Sequence, residues 1–214
     1  MVTRTRLSRS TPDDRRTTIV EVARQVFSRD GYGGSSMSGI AADLGGSKGT
    51  LYKYFDTKGA LFEAVMLQCC KDMFVDFNGD LTRYKDVREY LIDAGTRMLP
   101  AMLESSALDI SRLVLSEGVR HPQIARIYAE KALDPADEAV ALGLAHFHSI
   151  GQIECPDALS SAKQFMGLLR ADIHLRAVCG LDTRPGDGEL LAHIIGVTSL
   201  FIAGNTSNSA DSSA

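Results

Sequence analysis

The sequence predicts an all-α protein with an N-terminal three-helix unit and a larger C-terminal helical unit. Apolar residues recur with helical spacing along most of the chain, no segment shows the alternation of a β-strand, and the six prolines stand mostly where predicted helices end. The 214 residues, of which 44% are hydrophobic and 23% charged, suffice for a buried core. A mostly disordered chain and a coiled-coil rod are therefore excluded.

Four helices are predicted in the first third of the chain, at residues 13–29, 37–44, 48–55 and 57–77. The first has one apolar face and is ended by the glycines between positions 31 and 34. Ser35 or Ser36 is expected to cap the second helix and Ser47 the third, and Gly45-Gly46 separates the two. Further helices are predicted at 85–104, 107–119, 122–133, 136–150, 157–179 and 187–204, with a break at Asp134-Pro135.

Charge is distributed unevenly along the chain. Residues 1–60 hold ten Lys or Arg and six Asp or Glu, a net of +4, and the whole chain has a net charge of -4, which leaves -8 for residues 61–214. A basic N-terminal unit on an acidic body is typical of a protein that meets a polyanion. A solvated surface would have the same composition.

The helices at 37–44 and 48–55 have helix-turn-helix spacing. Counted from Met37, Ala41 is a small fifth residue that lets the helices approach, and Gly45 is the ninth residue, where the turn favours glycine. The second helix of such a motif enters the major groove of DNA. Its exposed residues include cations, hydroxyls and aromatic rings but no acid. Two structural helices in an all-α protein would show the same periodicity, so spacing alone leaves DNA binding open.

Longer segments resemble the N-terminal domain of TetR-family transcriptional regulators. The similarity lies in Gly31-Tyr32, in residues 35–41 and in the run Ser47-Lys-Gly-Thr-Leu-Tyr-Lys-Tyr-Phe55, followed by Lys58 and Leu61-Phe62. It covers residues 13–65 and implies that residues 48–55 form the recognition helix. Gly46 departs from the family, which more often has Val there, and this departure removes an apolar contact from the turn.

The resemblance implies a set of DNA contacts. Lys48 is expected to read a base, since Lys can donate to guanine O6 and N7, and Lys58 and Ser36 are expected to clamp phosphates. The full predicted set is Arg15, Arg16, Ser36, Ser47, Lys48, Gly49, Thr50, Tyr52, Lys53, Tyr54 and Lys58. Arg4, Arg6 and Arg9 would form either an arm along the minor groove or a solvated tail.

The predicted organisation has four parts: a basic flexible arm (1–12), a helix-turn-helix DNA-binding domain (13–58), a helical effector-binding and dimerisation domain (59–204) and a disordered tail (205–214). The segment from Arg112 to Glu117, His121-Pro122 and residues 164–175 resemble the C-terminal domain of AefR-like members of the family. Such members usually control efflux or membrane-stress genes, which does not identify a ligand.

The last two helices predict a homodimer. Helix 187–204 is apolar around most of its circumference, so one side is expected to pack on its own core and the other on a partner. Burial of both helices within one subunit is the alternative. The predicted interface is Phe165, Leu169, Ile173, Leu191, Ile194, Ile195, Thr198 and Phe201. A two-fold axis would place two recognition helices about 34–36 Å apart, which predicts a palindromic operator.

An effector pocket is predicted from adaptable apolar side chains, since thioethers and rings accommodate varied apolar ligands. The candidates are Met73, Phe74, Met98, Met102, Phe147 and Met166, and for each of them plain core packing is the alternative. The effector itself is expected to be small and apolar or amphipathic.

Enzymatic, metal and membrane functions are not predicted. No catalytic motif appears, no cofactor is implied, and the four cysteines lack zinc-ligand spacing. The most apolar segment, 190–203, is shorter than a bilayer span, and no secretory signal is seen, so a cytoplasmic protein is expected. The sequence therefore predicts a DNA-binding repressor released by an effector. An activator, a ligand-independent DNA-binding protein, or a helical interaction domain without DNA remain as alternatives.

Overall fold

The computed structural model describes residues 12–70, 80–181 and 184–206, and within these ranges it contains helices and no strand. The helices are α1 (Pro12–Gly34), α2 (Met37–Asp43), α3 (Lys48–Tyr52), α4 (Lys58–Cys70), α5 (Val87–Met102), α6 (Ser105–Glu117), α7 (Pro122–Tyr128), α8 (Asp134–Ser149), α9 (Ala158–Val178) and α10 (Asp187–Gly204). A 3-10 turn spans Leu81–Arg83, and a π-helical turn spans Ala129–Leu133. The all-α prediction is confirmed.

Some predicted features lie outside the described residues. These are residues 1–11 of the predicted arm, Met73 and Phe74 of the predicted pocket, the end of the predicted fourth helix and residues 207–214 of the predicted tail.

Two apolar cores organise the fold. The N-terminal core contains the buried side chains of α1 to α4 together with Ile110 and Leu113 of α6 and Ile124 of α7. The C-terminal core is built from α5, α8, α9 and α10. Helix α4 begins at the predicted domain boundary, yet its Leu61 and Phe62 are fully buried in the N-terminal core. Helices α4 and α6 therefore join the helix-turn-helix to the body.

Helix α1 runs further than its predicted end. Gly31 has a left-handed backbone (φ 76°), which kinks the helix, and one more helical turn follows to Gly34. A glycine accepts this conformation without the steric cost of a Cβ atom, so Gly31 interrupts the helix between two helical pieces, within the glycine segment where its end is predicted.

The predicted break at Asp134-Pro135 is wrong. The π-helical turn at Ala129–Leu133 passes directly into α8, and Pro135 occupies the first turn of that helix. A proline is tolerated there because the first-turn N–H groups have no partner within the helix. Residues 122–149 thus form one continuous helical segment with a wider turn in the middle.

The last two helices pack on the C-terminal core. Helix α9 contains one residue with non-helical geometry, Ala171 (φ 28°). Helix α10 buries Leu190, Ile194 and Phe201 in the core. By length and composition alone α10 could cross a membrane, with a mean hydropathy of 1.3 over 18 residues of which 28% are buried. A core helix of a protein in water meets the same criteria.

Candidate functional site

The helix-turn-helix is closed by caps and by one left-handed residue. The Ser36 hydroxyl accepts the N–H of Gly39 at 3.0 Å and so caps α2, and the Ser47 hydroxyl accepts the N–H of Thr50 at 3.2 Å and caps α3. Between the helices, Gly45 has φ +65°. These are the caps and the turn residue that the sequence predicted.

Helix α3 presents its polar side to solvent. Leu51 is fully buried in the N-terminal core, whereas Lys48, Gly49 and Lys53 are exposed and Tyr52 is 41% exposed. The Lys48 ammonium lies 5.6 Å from the centroid of the Tyr52 ring. The helix thus offers two cations and an aromatic ring to a ligand outside the molecule.

Helix α3 is shorter than predicted. It ends at Tyr52 instead of Phe55, and Lys53 and Tyr54 form a turn. Phe55 is buried and Tyr54 half-buried against the N-terminal core, because the chain turns inward before α4 starts. Tyr54 therefore presents less of its side chain to solvent than Tyr52 does.

Two arginines of α1 flank the same surface. The Arg16 guanidinium lies over the Phe55 ring, 5.1 Å from its centroid. Arg15 reaches the turn, where a Cβ atom added at Gly46 would lie 3.6 Å from Arg15 Nη2. Arg15, Arg16, Lys48 and Lys53 therefore belong to one basic surface around α3, which we call the α3 surface. Arg29 is not part of it, since its guanidinium pairs with Asp30 at 2.7 Å and with Asp43 at 2.9 Å.

Lys58, a predicted phosphate contact, is bonded to the protein backbone. Its ammonium donates to the carbonyl oxygen of Tyr32 and, at 2.9 Å, to that of Ser35, and it lies 4.2 Å from the centroid of the Tyr32 ring. Burial lowers the pKa of Lys58, and the charge of Glu117 acts in the opposite direction. Lys58 fastens the start of α4 to the end of α1 through two of its three N–H donors, and its role as a phosphate contact stays a prediction.

A small apolar cavity lies where the two cores meet. Its volume is about 40 Å³, which is room for a few water molecules, whereas sites for drug-sized ligands measure about 300–1,000 Å³. Helices α4 to α9 and the π-helical turn line it with Met66, Cys69, Cys70, Met102, Ala107, Ile110, Ser111, Tyr128, Ala132, Leu133, Ala136, Met166, Arg170 and His174. Any larger ligand would have to move side chains, and the three flexible methionines are suited to this.

Only some of the predicted effector residues line this cavity. Met102 and Met166 line the cavity. Met98 and Phe147 do not line it and are fully buried in the C-terminal core. For these two residues the structure favours the alternative, which is packing in the core without contact to the cavity.

Polar groups lie in and beside the cavity, although none of them belongs to the predicted effector pocket. Arg170 Nε donates to the carbonyl oxygen of Met166 at 3.1 Å, and Arg170 Nη2 lies 3.9 Å from Asp137 Oδ1, too far for a hydrogen bond. Asp137 is buried without a hydrogen-bond partner for that oxygen, and burial raises the pKa of its carboxyl group. Burial and, to a smaller extent, the charge of Arg170 lower the pKa of His174. The spacing of Arg170 and His174 by itself indicates only ordinary helix pairing.

Two cysteines also line the cavity. Burial raises the pKa of Cys69, and it raises the pKa of Cys70 to about 11. Both thiols are therefore protonated at neutral pH and act as soft apolar surface. Within the described ranges, no group of three or more His, Cys, Asp or Glu side chains is arranged to hold a metal ion.

Five residues of the predicted dimer interface lie inside the protomer. Phe165, Leu169, Ile194, Thr198 and Phe201 are buried. The sequence could not distinguish the two sides of a helix that is apolar all round.

Of the remaining predicted interface residues, Ile173 is half-buried, and Leu191 and Ile195 are 43% and 42% exposed. The structure adds Leu175 and Leu200, which are 58% and 63% exposed. We call the outward sides of α9 and α10, which carry Leu175, Leu191, Ile195 and Leu200, the α9–α10 face; at about 100° per residue, Leu191 and Ile195 lie at one edge of the outward side of α10 and Leu200 at the other.

Two family matches cover most of the described chain. Residues 19–65 match the family described as bacterial regulatory proteins, tetR family. Residues 89–204 match the family described as AefR-like transcriptional repressor, C-terminal domain.

Individual proteins show the same similarity. The HTH-type transcriptional regulator UidR of Escherichia coli strain K12 is 30% identical over 116 residues, which cover 54% of this chain and 58% of UidR, so the match spans less than two thirds of that relative. A TetR-family regulator from Mesorhizobium loti MAFF303099 superposes with a TM-score of 0.77 at 24% identity, over 93% of this chain and 100% of the other. The Flavonoid-responsive Regulator FrrA gives a TM-score of 0.76 at 25% identity, over 92% and 99%.

Proposed function

Because this chain belongs to the TetR family of transcriptional regulators and carries the family's DNA-binding helix-turn-helix, we propose that it is a homodimeric repressor of transcription. In this proposal it acts in the cytoplasm, binds a palindromic operator and is released by a small apolar or amphipathic effector.

The observation that carries the DNA-binding half of the proposal is the α3 surface. Four basic side chains from α1 and α3 surround a helix whose apolar side is anchored by the buried Leu51. Arg and Lys on a rigid helix can contact phosphates and read base edges in the major groove. Ser36 and Ser47, whose hydroxyls cap α2 and α3, lie at the edges of this surface.

The homodimer is supported by the α9–α10 face. Four large apolar side chains are exposed on neighbouring helices, and a Cβ atom added at Gly167 or Gly196 would meet no other atom within 4 Å. Open space above such small residues allows close approach of helices from a second subunit. A two-fold arrangement of this kind presents two copies of α3 to successive major grooves.

The effector is proposed to bind the cavity between the two cores. Thioethers and aliphatic carbons supply an apolar wall, while Arg170 and His174 on one helix and the Ser111–Tyr128 hydroxyl pair, 3.3 Å apart, supply polar contacts. An amphipathic molecule with a hydroxyl or acidic end fits this chemistry. The structurally similar FrrA is flavonoid-responsive, and flavonoids, with apolar rings and hydroxyl groups, are a first class of compounds to screen.

The test begins with selection of binding sites from random DNA and a mobility-shift assay with the selected site. The proposal requires a palindromic consensus and two protomers on each duplex. Compounds are then screened for dissociation of the complex. A compound that dissociates it must bind wild-type protein and bind Met166→Trp, in which the cavity is filled, at least about tenfold more weakly.

The alternatives give other outcomes. If the protein binds the selected site equally well in the presence of each compound screened, it is a ligand-independent DNA-binding protein. If transcription of the gene beside the selected site falls when the gene for this protein is deleted, the protein is an activator. If no site is enriched in the selection, the DNA-binding proposal is wrong.

A further inference from the structure

A carboxylate from the body holds the end of α1. Glu117, the last residue of α6, accepts the backbone N–H of Tyr32 on Oε1 at 3.0 Å and that of Gly33 on Oε2 at 2.6 Å. The partners are about 85 residues apart in sequence. Hydrogen bonds to a charged acceptor are stronger than neutral ones, and this carboxylate is mostly shielded from solvent, with 18% of its side chain exposed.

The glycines at this contact are fitted to Glu117 and its neighbour. A Cβ atom added at Gly31 would collide with Glu117 Oε1, and one added at Gly33 would lie 2.7 Å from His121 Nε2. The α1 backbone can approach the carboxylate this closely only because these positions lack side chains.

The same segment leads into the helix-turn-helix. Glu117 binds the N–H groups of Tyr32 and Gly33, while Lys58 binds the carbonyl oxygens of Tyr32 and Ser35. The next residue, Ser36, caps α2. The position of α2, and of α3 which packs on it, therefore depends on a segment held between a carboxylate of α6 and an ammonium of α4.

We infer that Glu117 is a positioning residue for DNA binding. It fixes the orientation of the helix-turn-helix on the body without itself facing DNA. It also links that orientation to α6, whose Ala107, Ile110 and Ser111 line the cavity. This role does not need an effector and rests only on the proposal that α3 reads DNA.

The test compares Glu117→Gln with Glu104→Gln, a matched control that removes an exposed carboxylate just before α6. The amide introduced by Glu117→Gln can accept one N–H but presents an NH₂ group to the other. We expect this variant to bind the selected operator about tenfold or more weakly, since one charge-assisted hydrogen bond is lost and another weakened. Binding to random-sequence DNA should change less than twofold, because flexible cations still reach phosphates while base reading requires a fixed helix.

Three further measurements separate positioning from a general loss of folding. First, a stoichiometric titration gives the fraction of active protomers, and affinities are expressed per active protomer. Second, the midpoint of thermal unfolding is recorded for each variant. Third, hydrogen exchange of the backbone amides of Tyr32 and Gly33 is measured without DNA. Exchange at these two amides should accelerate in Glu117→Gln and not in Glu104→Gln. Gly33→Ala disturbs the same contact from the side of α1. It should also weaken operator binding, and it keeps the inference testable if Glu117→Gln fails to fold.

Two results would overturn the inference. One is unchanged exchange at Tyr32 and Gly33 in Glu117→Gln, which would mean that the contact is not made. The other is faster exchange with operator affinity within twofold of wild type, which would mean that the contact does not position α3. Failure of wild-type protein to select any site would instead defeat the DNA-binding proposal, and the exchange measurement would still decide whether the contact exists.

Discussion

Lys48 and Lys58 carry the same charge but lie in different surroundings. Lys48 is exposed on α3, beside the ring of Tyr52. Lys58 is turned toward the protein and donates to two backbone carbonyl groups. The sequence placed both in the DNA-contact set because the family resemblance includes both, and only side-chain geometry distinguishes an exposed lysine from one that donates to the backbone.

Lys48→Ala should weaken binding to the selected operator by about 1–3 kcal/mol and relax the preference at one base pair. The measurement is a titration against the operator and against its single-base variants. Lys85→Ala, which removes one exposed cation from the body, is the matched control. Equal effects of the two substitutions would show that Lys48 contributes only net charge.

Lys58→Met should act on stability instead. It retains the apolar stem but removes the donor to Ser35 and one of the donors to Tyr32, at a cost of about 1–2 kcal/mol in the free energy of unfolding. Chemical denaturation measures this cost. The slope of log binding constant against log salt concentration should stay as in wild type. A slope flatter by about one unit would show that Lys58 contacts a phosphate.

At the scale of elements, the turn between α2 and α3 contains two glycines with different requirements. Gly45 has a left-handed backbone, with open space where a Cβ atom would stand. A Cβ atom at Gly46 would make ordinary contacts with Arg15 and Leu44, at 3.6 and 3.9 Å. The first position is thus constrained by its backbone and the second is constrained by nothing in its surroundings.

Gly45→Ala should lower the free energy of unfolding by about 1–2 kcal/mol, which is the cost of a left-handed conformation for a residue with a Cβ atom. Gly46→Ala is the control and should be neutral or slightly stabilising, since it adds apolar contact at no backbone cost. Urea denaturation of both variants is the measurement. A stable Gly45→Ala protein would mean that the turn adopts another conformation.

Sequence periodicity located the helices well and their irregularities poorly. The starts of α2, α3 and α10 follow from a cap or a glycine beside an apolar repeat. The π-helical turn before α8 and the kink at Ala171 have no signal in the local residue pattern, since neither contains a glycine and the only nearby proline, Pro135, follows the turn. The Glu117 contact was equally hidden, since it joins residues about 85 positions apart.

At the scale of the whole molecule, the prediction of a dimer rests on the apolar side chains of α9 and α10 that are exposed in the protomer. The sequence selected mostly the inward side chains of these two helices, because a helix that is apolar all round does not indicate which of its sides faces the core. Leu191 and Ile195 are the two predicted interface residues that are clearly exposed.

Ile195→Glu should convert a dimer into monomers by burying a charge at the interface. We expect the dimer dissociation constant to rise by at least about tenfold and operator affinity to fall with it. Sedimentation velocity over a range of concentrations measures the dissociation constant. Leu142→Glu, at an exposed apolar position on α8, serves as the control and should leave the assembly unchanged; a monomeric wild-type protein would remove the proposed interface.

The π-helical turn at Ala129–Leu133 has one residue more than an α-helical turn would need to cover the same rise. Because the extra residue is accommodated within the turn, deleting one residue here would convert the turn to α-helix and shift the side chains of the turn, among them Ala132 and Leu133 of the cavity wall. A variant with one residue deleted from this turn is therefore expected to differ from wild type in the ligands that its cavity accepts.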